Sequence, residues 1–75
     1  MPNLTLRVLE AVDENELRWN DVLNRVPLAG TEKRSHAAIR LIVLERSGYV
    51  QVTRGIYELT ANGLRLVYGE QEFAL

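Results

Sequence analysis

The chain has 75 residues, enough for one small domain with a thin core, and 47% of them are hydrophobic, which excludes a disordered chain. Cysteine is absent, which excludes disulfides and thiolate metal sites, and no apolar run approaches the roughly 20 residues that a membrane span needs. The N-terminus lacks a basic region followed by an apolar stretch. We therefore expect a single cytoplasmic domain, residues 1–75, with no signal peptide.

The net charge of −1 hides an uneven distribution of charged residues along the chain. Residues 1–32 contain three arginines and six acids, a sum of −3, whereas residues 33–69 contain one lysine, five arginines and two acids, a sum of +4. Residues 70–75 add two acids. A basic centre inside an acidic frame favours an anionic partner, although the same imbalance also arises by chance in short chains.

Two helices are predicted in the first part of the chain. Apolar residues near helical spacing predict the first helix over residues 4–13, with Asn3 as its N-cap. The short segment 17–19 is predicted to pair with a later hairpin as a third strand. Asn20 is typical of the cap of a second helix, which runs from about residue 21 to 26 before a proline and a glycine stop it.

A third helix is predicted over about 32–47. Thr31 or Ser35 is a suitable N-cap, and Gly48 stands where a helix ends with a left-handed residue. Its first turns are polar, and its last turns, residues 39–44, are apolar on nearly every side. This change of character predicts that the back half is buried and the front half projects.

Two apolar residues of the third helix, Ile39 and Val43, lie opposite the face that carries Leu41 and Leu44. The simplest account is that they pack against the second helix. A dimer contact is the other account for them.

A two-strand hairpin is predicted over residues 50–59, with a tight turn at Arg54-Gly55. If the turn holds two residues, apolar side chains fall together on one face and polar ones on the other, except Ile56. The register then pairs Val50 with Leu59, Gln51 with Glu58, Val52 with Tyr57, and Thr53 with Ile56.

A short fourth helix is predicted over 61–68, capped by Thr60 and ended by Gly69. Residues 73–75 form an apolar tail. We expect a homodimer in which the first helix, the fourth helix and this tail make the contact.

The order helix, short strand, helix, helix, hairpin, helix resembles the winged helix-turn-helix family over nearly the whole chain. Two patterns are the most specific parts: residues 41–50 read Leu-x-x-Leu-x-x-x-Gly-Tyr-Val, and residues 55–63 read Gly-Ile-Tyr-Glu-Leu-Thr-x-x-Gly. Small archaeal and phage regulators and the N-terminal modules of certain restriction endonucleases are similar here. The resemblance implies an α+β fold with a three-helix core, a two- to three-stranded wing and a short C-terminal helix.

The resemblance also implies a DNA-binding transcriptional regulator. The recognition helix, about 32–47, would lie in the major groove, and the wing, 49–59, would lie on the backbone or in the minor groove of double-stranded DNA. Lys33, His36, Ala37 and Arg40 form roughly one helical stripe. The residues expected to contact DNA are Lys33, Arg34, Ser35, His36, Arg40, Arg54 and Arg18.

Each of these residues also has a simpler interpretation. Arg40 can pair with an acid such as Glu45, and Lys33 and Arg34 can be solvated surface charges. His36 is more typical of a capping or surface residue than of a base reader. The turn at Arg54 can be only a turn, because a loop tip tolerates arginine.

Composition argues against an enzyme, because one histidine and no cysteine leave few nucleophile–base pairs. The acids Asp13, Glu14 and Glu16 match no calcium loop and are typical of a solvated turn. We expect no cofactor, no metal, no membrane association and no small-molecule effector. The alternative to a DNA-binding regulator is a protein-interaction module on the same fold, which the acidic first third of the chain favours.

Overall fold

The computed structural model describes residues 2–13 and 17–69 and has an α+β architecture. Four helices and a two-stranded antiparallel sheet follow one another in the described residues. Their bounds are α1 Leu4–Asp13, α2 Trp19–Arg25, α3 Arg34–Arg46, β1 Val50–Thr53, β2 Ile56–Leu59 and α4 Ala61–Tyr68. None of the helices in this part of the chain has the length and hydropathy to cross a membrane.

The prediction for α1 is confirmed at both ends. Asn3 caps the helix, since its Oδ1 accepts the backbone N–H of Leu6 at 2.9 Å. α1 packs against α2, α3, α4 and β2 and is the central element of the core. The largest fully buried side chains of the core are Leu9, Leu41, Val8, Val12, Val22 and Val50.

The second helix begins earlier than predicted. α2 starts at Trp19, so Asn20 lies inside the helix and is not its cap. The N–H of Val22 donates to the carbonyl of Arg18 at 2.9 Å, which begins the helix at Trp19, and the Trp19 ring lies 5.9 Å from the ring of Tyr57 in β2. Just before the helix, the backbone N–H of Tyr57 donates to the carbonyl of Leu17 at 2.8 Å. The third-strand prediction is therefore confirmed only as a single bridge at Leu17.

The third helix also begins at a different residue from the predicted one. α3 starts at Arg34 with Lys33 at the N-cap position, so neither Thr31 nor Ser35 caps it. The side chain of His36 supplies the cap bond, because its Nδ1 accepts the backbone N–H of Lys33 at 3.0 Å. The end of the helix is as predicted: Gly48 has φ +85°, and the N–H of Tyr49 donates to the carbonyl of Leu44.

The hairpin has the predicted register at all four pairs. Arg54 and Gly55 have φ values of +53° and +79°, which is the backbone of a two-residue turn that matches the twist of the strands. Val50 is buried, Tyr57 and Leu59 are half-buried, and Glu58 is exposed. Val52 of the predicted apolar face is 37% exposed, so the register is confirmed but the burial of that face is only partly as predicted.

The fourth helix is confirmed with its bounds and its cap. The Oγ1 of Thr60 accepts the N–H of Gly63 at 3.2 Å and donates to the carbonyl of Gly48 at 2.6 Å. Gly63 lies so close to the chain before β1 that a Cβ at this position would be 2.1 Å from the carbonyl oxygen of Tyr49. Only glycine permits this approach, which holds α4 against the start of the hairpin.

An ion pair between a buried arginine and a half-buried glutamate fixes the start of α3, and no sequence pattern predicted it. Arg7 of α1 is only 6% exposed, and its Nη1 lies 2.6 Å from Oε1 of Glu32. Its Nη2 donates to Oε2 of the same carboxylate at 2.7 Å, and its Nε and Nη1 also donate to the carbonyls of Pro2 and Pro27. Glu32 accepts the N–H of Ala29 as well. The charges of both side chains are thus satisfied by hydrogen bonds.

Gly63→Ala tests the close approach of α4 to the hairpin. Alanine favours a helix over glycine by about 1 kcal/mol, but its methyl group would overlap a backbone oxygen that cannot rotate away. We expect a loss of about 2 kcal/mol, or roughly 10 °C in melting temperature, measured by circular dichroism. Asn62→Ala, at the exposed neighbouring position, is the control and should change little. Equal or higher stability of Gly63→Ala would contradict the packing of α4.

Gly55→Val tests the turn. A β-branched residue resists the positive φ, so we expect a loss of about 1 to 3 kcal/mol in the free energy of unfolding. The Nη1 atom of Arg18 lies 2.8 Å from the position of the new Cβ, but this flexible end can move. Gly55→Asn is the matched control, because asparagine tolerates the left-handed region. If valine and asparagine give the same melting temperature, the turn does not have this backbone conformation.

The Arg7–Glu32 pair predicts a dependence of stability on pH. Hydrogen bonds from Arg7 and then from the N–H of Ala29 lower the pKa of Glu32 from 4.5 to about 2. The unfolded chain therefore binds the proton first as pH falls, so the stabilisation is complete above about pH 5 and is lost as the pH approaches 2. We expect Glu32→Gln to lower the melting temperature at pH 7. At low pH, the melting temperatures of this variant and the wild type should become similar.

Glu10→Gln is the control for this titration, because it removes the same charge from an exposed position of α1. Its melting temperature should differ from that of the wild type by a small amount. A wild type and a Glu32→Gln variant that keep a constant difference from pH 7 to pH 2 would contradict the role of the ionised pair.

Candidate nucleic-acid interface

The surface of interest is the face of α3 that points away from the core. Ala37, Leu41 and Leu44 are buried and define the inner face. An α-helix turns by 100° per residue, so the positions opposite this inner face can be identified. They are four side chains that follow one another at intervals of four, three and four residues, and we call these four side chains the outer stripe. The outer stripe consists of Ser35, Ile39, Ile42 and Arg46, and all four are exposed.

The prediction that the back half of α3 is buried is wrong. Ile39 is 58% exposed, Val43 is 47% exposed and Ile42 is 40% exposed. Ile39 and Val43 therefore do not pack against α2. The reason is geometric: α1, α2 and β1 cover one side of α3, and a helix that is apolar all round must then expose the rest. The exposed apolar residues form the middle of the outer stripe, with Val43 beside it.

The predicted cationic stripe is also only partly correct. Lys33, His36 and Arg40 are exposed, but Ala37 is fully buried and faces the core. His36 and Arg40 lie on the side of α3 that borders the N-terminus of α1, where they line an open groove with Asn3 and Leu4. Arg40 lies about 100° around α3 from Ile39, so these cations lie on the flank of the helix and not next to the outer stripe.

Arg34 lies on the other side of α3, toward α2. Its Nη2 donates to Oδ1 of Asn20 at 3.0 Å, and its Nη1 donates to Oδ1 of Asn24. Both asparagines are on the exposed surface of α2. The bonds hold the guanidinium at the junction of the two helices, where it remains exposed.

His36 has a structural role that accords with its interpretation as a capping residue. Its Nδ1 accepts the N–H of Lys33, so this nitrogen carries no proton in the capped state. The Nε2 atom is then the one that carries hydrogen in the neutral ring, and it is the atom left to donate to a ligand. Ser35, which precedes His36 and is the first residue of the outer stripe, is exposed.

Arg40 does not pair with Glu45. The helical positions of Arg40 and Glu45 point to different sides of α3, since five residues correspond to a rotation of about 140°. Glu45 lies toward the hairpin, where burial, and to a smaller extent the charge of Glu45, raises the pKa of Tyr57. The acid of α3 is therefore directed away from Arg40.

Arg18 and the hairpin turn are brought together, although Arg18 precedes α2 and the turn follows β1. The Nη1 atom of Arg18 is within contact distance of the position that a side chain at Gly55 would occupy. Arg54 is exposed beside it, at the tip of the hairpin. Two cations that are far apart in sequence thus lie at one end of the sheet.

The sequence analysis did not identify two residues that shape this surface, Arg46 and Arg7. Arg46 belongs to the outer stripe, and the spacing of Ser35, Ile39, Ile42 and Arg46 was the available signal. It was missed because Ile39 was assigned to a buried contact. Arg7 was missed because nothing in the sequence marks an arginine of an amphipathic helix as the partner of a glutamate 25 residues away.

The described residues contain no group of three or more acidic or histidine side chains that could hold a metal ion. Two of the three acids considered for cation binding, Glu14 and Glu16, lie outside the described residues, as does the tail 70–75. Asp13 accepts a hydrogen bond from the hydroxyl of Tyr68, which raises the pKa of that hydroxyl. This bond links the ends of α1 and α4.

Comparisons with protein-family models, with characterised proteins and with solved structures give no match to this chain. The candidate surface is therefore described by its own geometry: an exposed helix face with an apolar centre, cations on the flanks of the helix, and two further cations near the hairpin tip.

Proposed function

We propose that this chain is a winged helix-turn-helix domain that binds double-stranded DNA as a transcriptional regulator. In this proposal α3 is the recognition helix and the hairpin is the wing. The observation that carries the proposal is the exposed face of α3 with cations around it. Residues 33–46 contain four cations and one acid, a net charge of +3 in a chain whose total is −1.

The order and contacts of the elements support this assignment. α2 and α3 are joined by residues 26–33, and Arg34 bridges their exposed surfaces through Asn20 and Asn24. β1 follows α3 directly and packs against it, and the single bridge at Leu17 adds a short third segment to the hairpin. Helix, helix and hairpin in this order match what the family requires for a helix in the major groove and a wing on the backbone.

The cations divide into two groups with different tasks. Arg40 and Arg34 lie on opposite flanks of α3 and Lys33 lies at its start, where the three would hold phosphates along the groove. Arg54 and Arg18 would hold the backbone or enter the minor groove at the tip of the wing. Ser35 and the free Nε2 of His36 would add hydrogen bonds near the start of α3.

A homodimer on a two-fold DNA site remains part of the proposal, because a single small module binds DNA weakly. α4 supports a contact through Leu66 and Tyr68, which are 45% and 50% exposed. α1 contributes less than expected, since most of its apolar residues are buried in the core. The cytoplasm is the proposed location.

A protein-interaction module is the second candidate function. The exposed Ile39, Ile42 and Val43 favour it, because contiguous apolar surface on a helix often marks a protein contact. The cations around this surface favour DNA, because a protein partner would have to supply several acids to match them.

Titration of labelled duplex DNA at several salt concentrations tests the proposal. Four or five phosphate contacts give a slope of log K against log salt of about −4 per subunit. We expect Arg40→Ala combined with Arg54→Ala to weaken binding and to reduce this slope by about 2, because two phosphate contacts are lost.

The single variants Arg40→Ala and Arg54→Ala are compared with Arg65→Ala as a charge-matched control. Arg65 lies on α4 and donates to its helix neighbour Asn62, so its loss should leave the salt slope unchanged. If all three variants weaken binding equally, the assigned face is wrong and only net charge matters. Absence of binding even at low salt would reject DNA binding and favour the protein-interaction module.

A further inference from the structure

The apolar centre of the outer stripe has no role in phosphate binding. Ile39 and Ile42 are adjacent members of the stripe and are exposed, while Ser35 and Arg46 lie at its two ends. Exposure of two large aliphatic side chains on a helix is unfavourable in water, and neither side chain can donate or accept a hydrogen bond. Ile39 lies close to the outward direction of α3, and Ile42 and Val43 lie on either side of it, so the outward surface is apolar and is complemented by an apolar ligand group.

The major groove of DNA offers one such group. Each base pair presents hydrogen-bond donors and acceptors there, and thymine alone adds a C5-methyl group. An isoleucine placed over the edges of guanine or cytosine would remove water from polar atoms without replacing their hydrogen bonds, which is unfavourable. An isoleucine placed against a thymine methyl buries apolar surface on both sides.

The charges around the outer stripe favour DNA over a second copy of this chain as the occupant. Arg46 ends the outer stripe, Lys33 precedes α3, Arg40 lies on the flank of α3 beside α1, and Arg34 lies on the flank beside α2. The one acid of residues 33–46, Glu45, lies toward the hairpin. A two-fold contact joins a surface to itself, so antiparallel α3 helices would bring Arg46 toward Lys33 of the second copy. Phosphates on both sides of the groove instead complement these cations.

We propose that Ile39 and Ile42 read thymine methyl groups in the major groove, and that the preferred duplex therefore carries thymine at the positions that the middle of α3 faces. This inference rests on the proposed DNA-binding function and adds the source of sequence preference to it. The cations position the helix, and the two isoleucines distinguish thymine from the other bases.

The test uses duplexes that the wild-type protein selects from random DNA. We expect the selected sequences to share thymine at one or two positions. Replacing each thymine by deoxyuridine removes only the methyl group and leaves base pairing intact. Affinity should fall about fourfold for each contacted methyl, the value expected for one buried carbon.

The variants Ile39→Ala and Ile42→Ala assign the contacts. In each variant, replacing thymine by uracil should no longer change the affinity at the position that the removed isoleucine contacted. At the other position, the same replacement should still weaken binding. Both sites are exposed, so folding should be unaffected, and the salt slope should be that of the wild type because no phosphate contact is lost. Leu28→Ala, an exposed apolar residue between α2 and α3, is the control and should keep full discrimination.

The outcomes separate this inference from the proposed function. Salt-dependent binding with equal affinity for thymine and uracil duplexes would overturn thymine reading and leave DNA binding intact. No binding to any duplex would overturn both. If the double variant Ile39→Ala, Ile42→Ala converts a dimer into a monomer while uracil has no effect, the outer stripe is a contact between copies and the inference is wrong.

Discussion

The guanidinium of Arg7 holds together three segments that would otherwise be independent. It donates to the carbonyl of Pro2 before α1, to the carbonyl of Pro27 after α2, and to both carboxylate oxygens of Glu32 before α3. A buried charge is tolerated only when it is paired and hydrogen-bonded, so these partners must all be in place together. The position of the first turn of α3 relative to α1 follows from this requirement.

The other end of α3 is fixed by backbone contacts. The carbonyl of Gly48 accepts the hydroxyl of Thr60, and the carbonyl of Tyr49 accepts the N–H of the same residue. Gly63 packs against that second carbonyl. α4 and the hairpin are thereby attached to the end of α3, while the Leu17 bridge and the Trp19–Tyr57 contact attach the hairpin to the start of α2. α3 is held at both ends, and its outer stripe is left free.

The composition of α3 explains why the site was only partly predictable. Its apolar residues surround the helix, so periodicity could not show which of them would face the core. Only the neighbouring elements decide this, and they bury Ala37, Leu41 and Leu44. Ile39 and Ile42 then become surface residues on the same stripe as Arg46. The proposed DNA contact joins two features that the sequence presents separately, the cations and the exposed aliphatic side chains.

The sequence by itself determined the features that depend on neighbouring residues. These are α1 with its Asn3 cap, α4 with its Thr60 cap, and the register of the hairpin, because caps, turns and strand alternation act over a few residues. The tertiary structure alone decided four features: the early start of α2 at Trp19, the start of α3 at Arg34, the Arg7–Glu32 pair and the exposed face of α3. These features depend on groups that are distant in the chain and meet only when the core forms, so no local pattern encodes them.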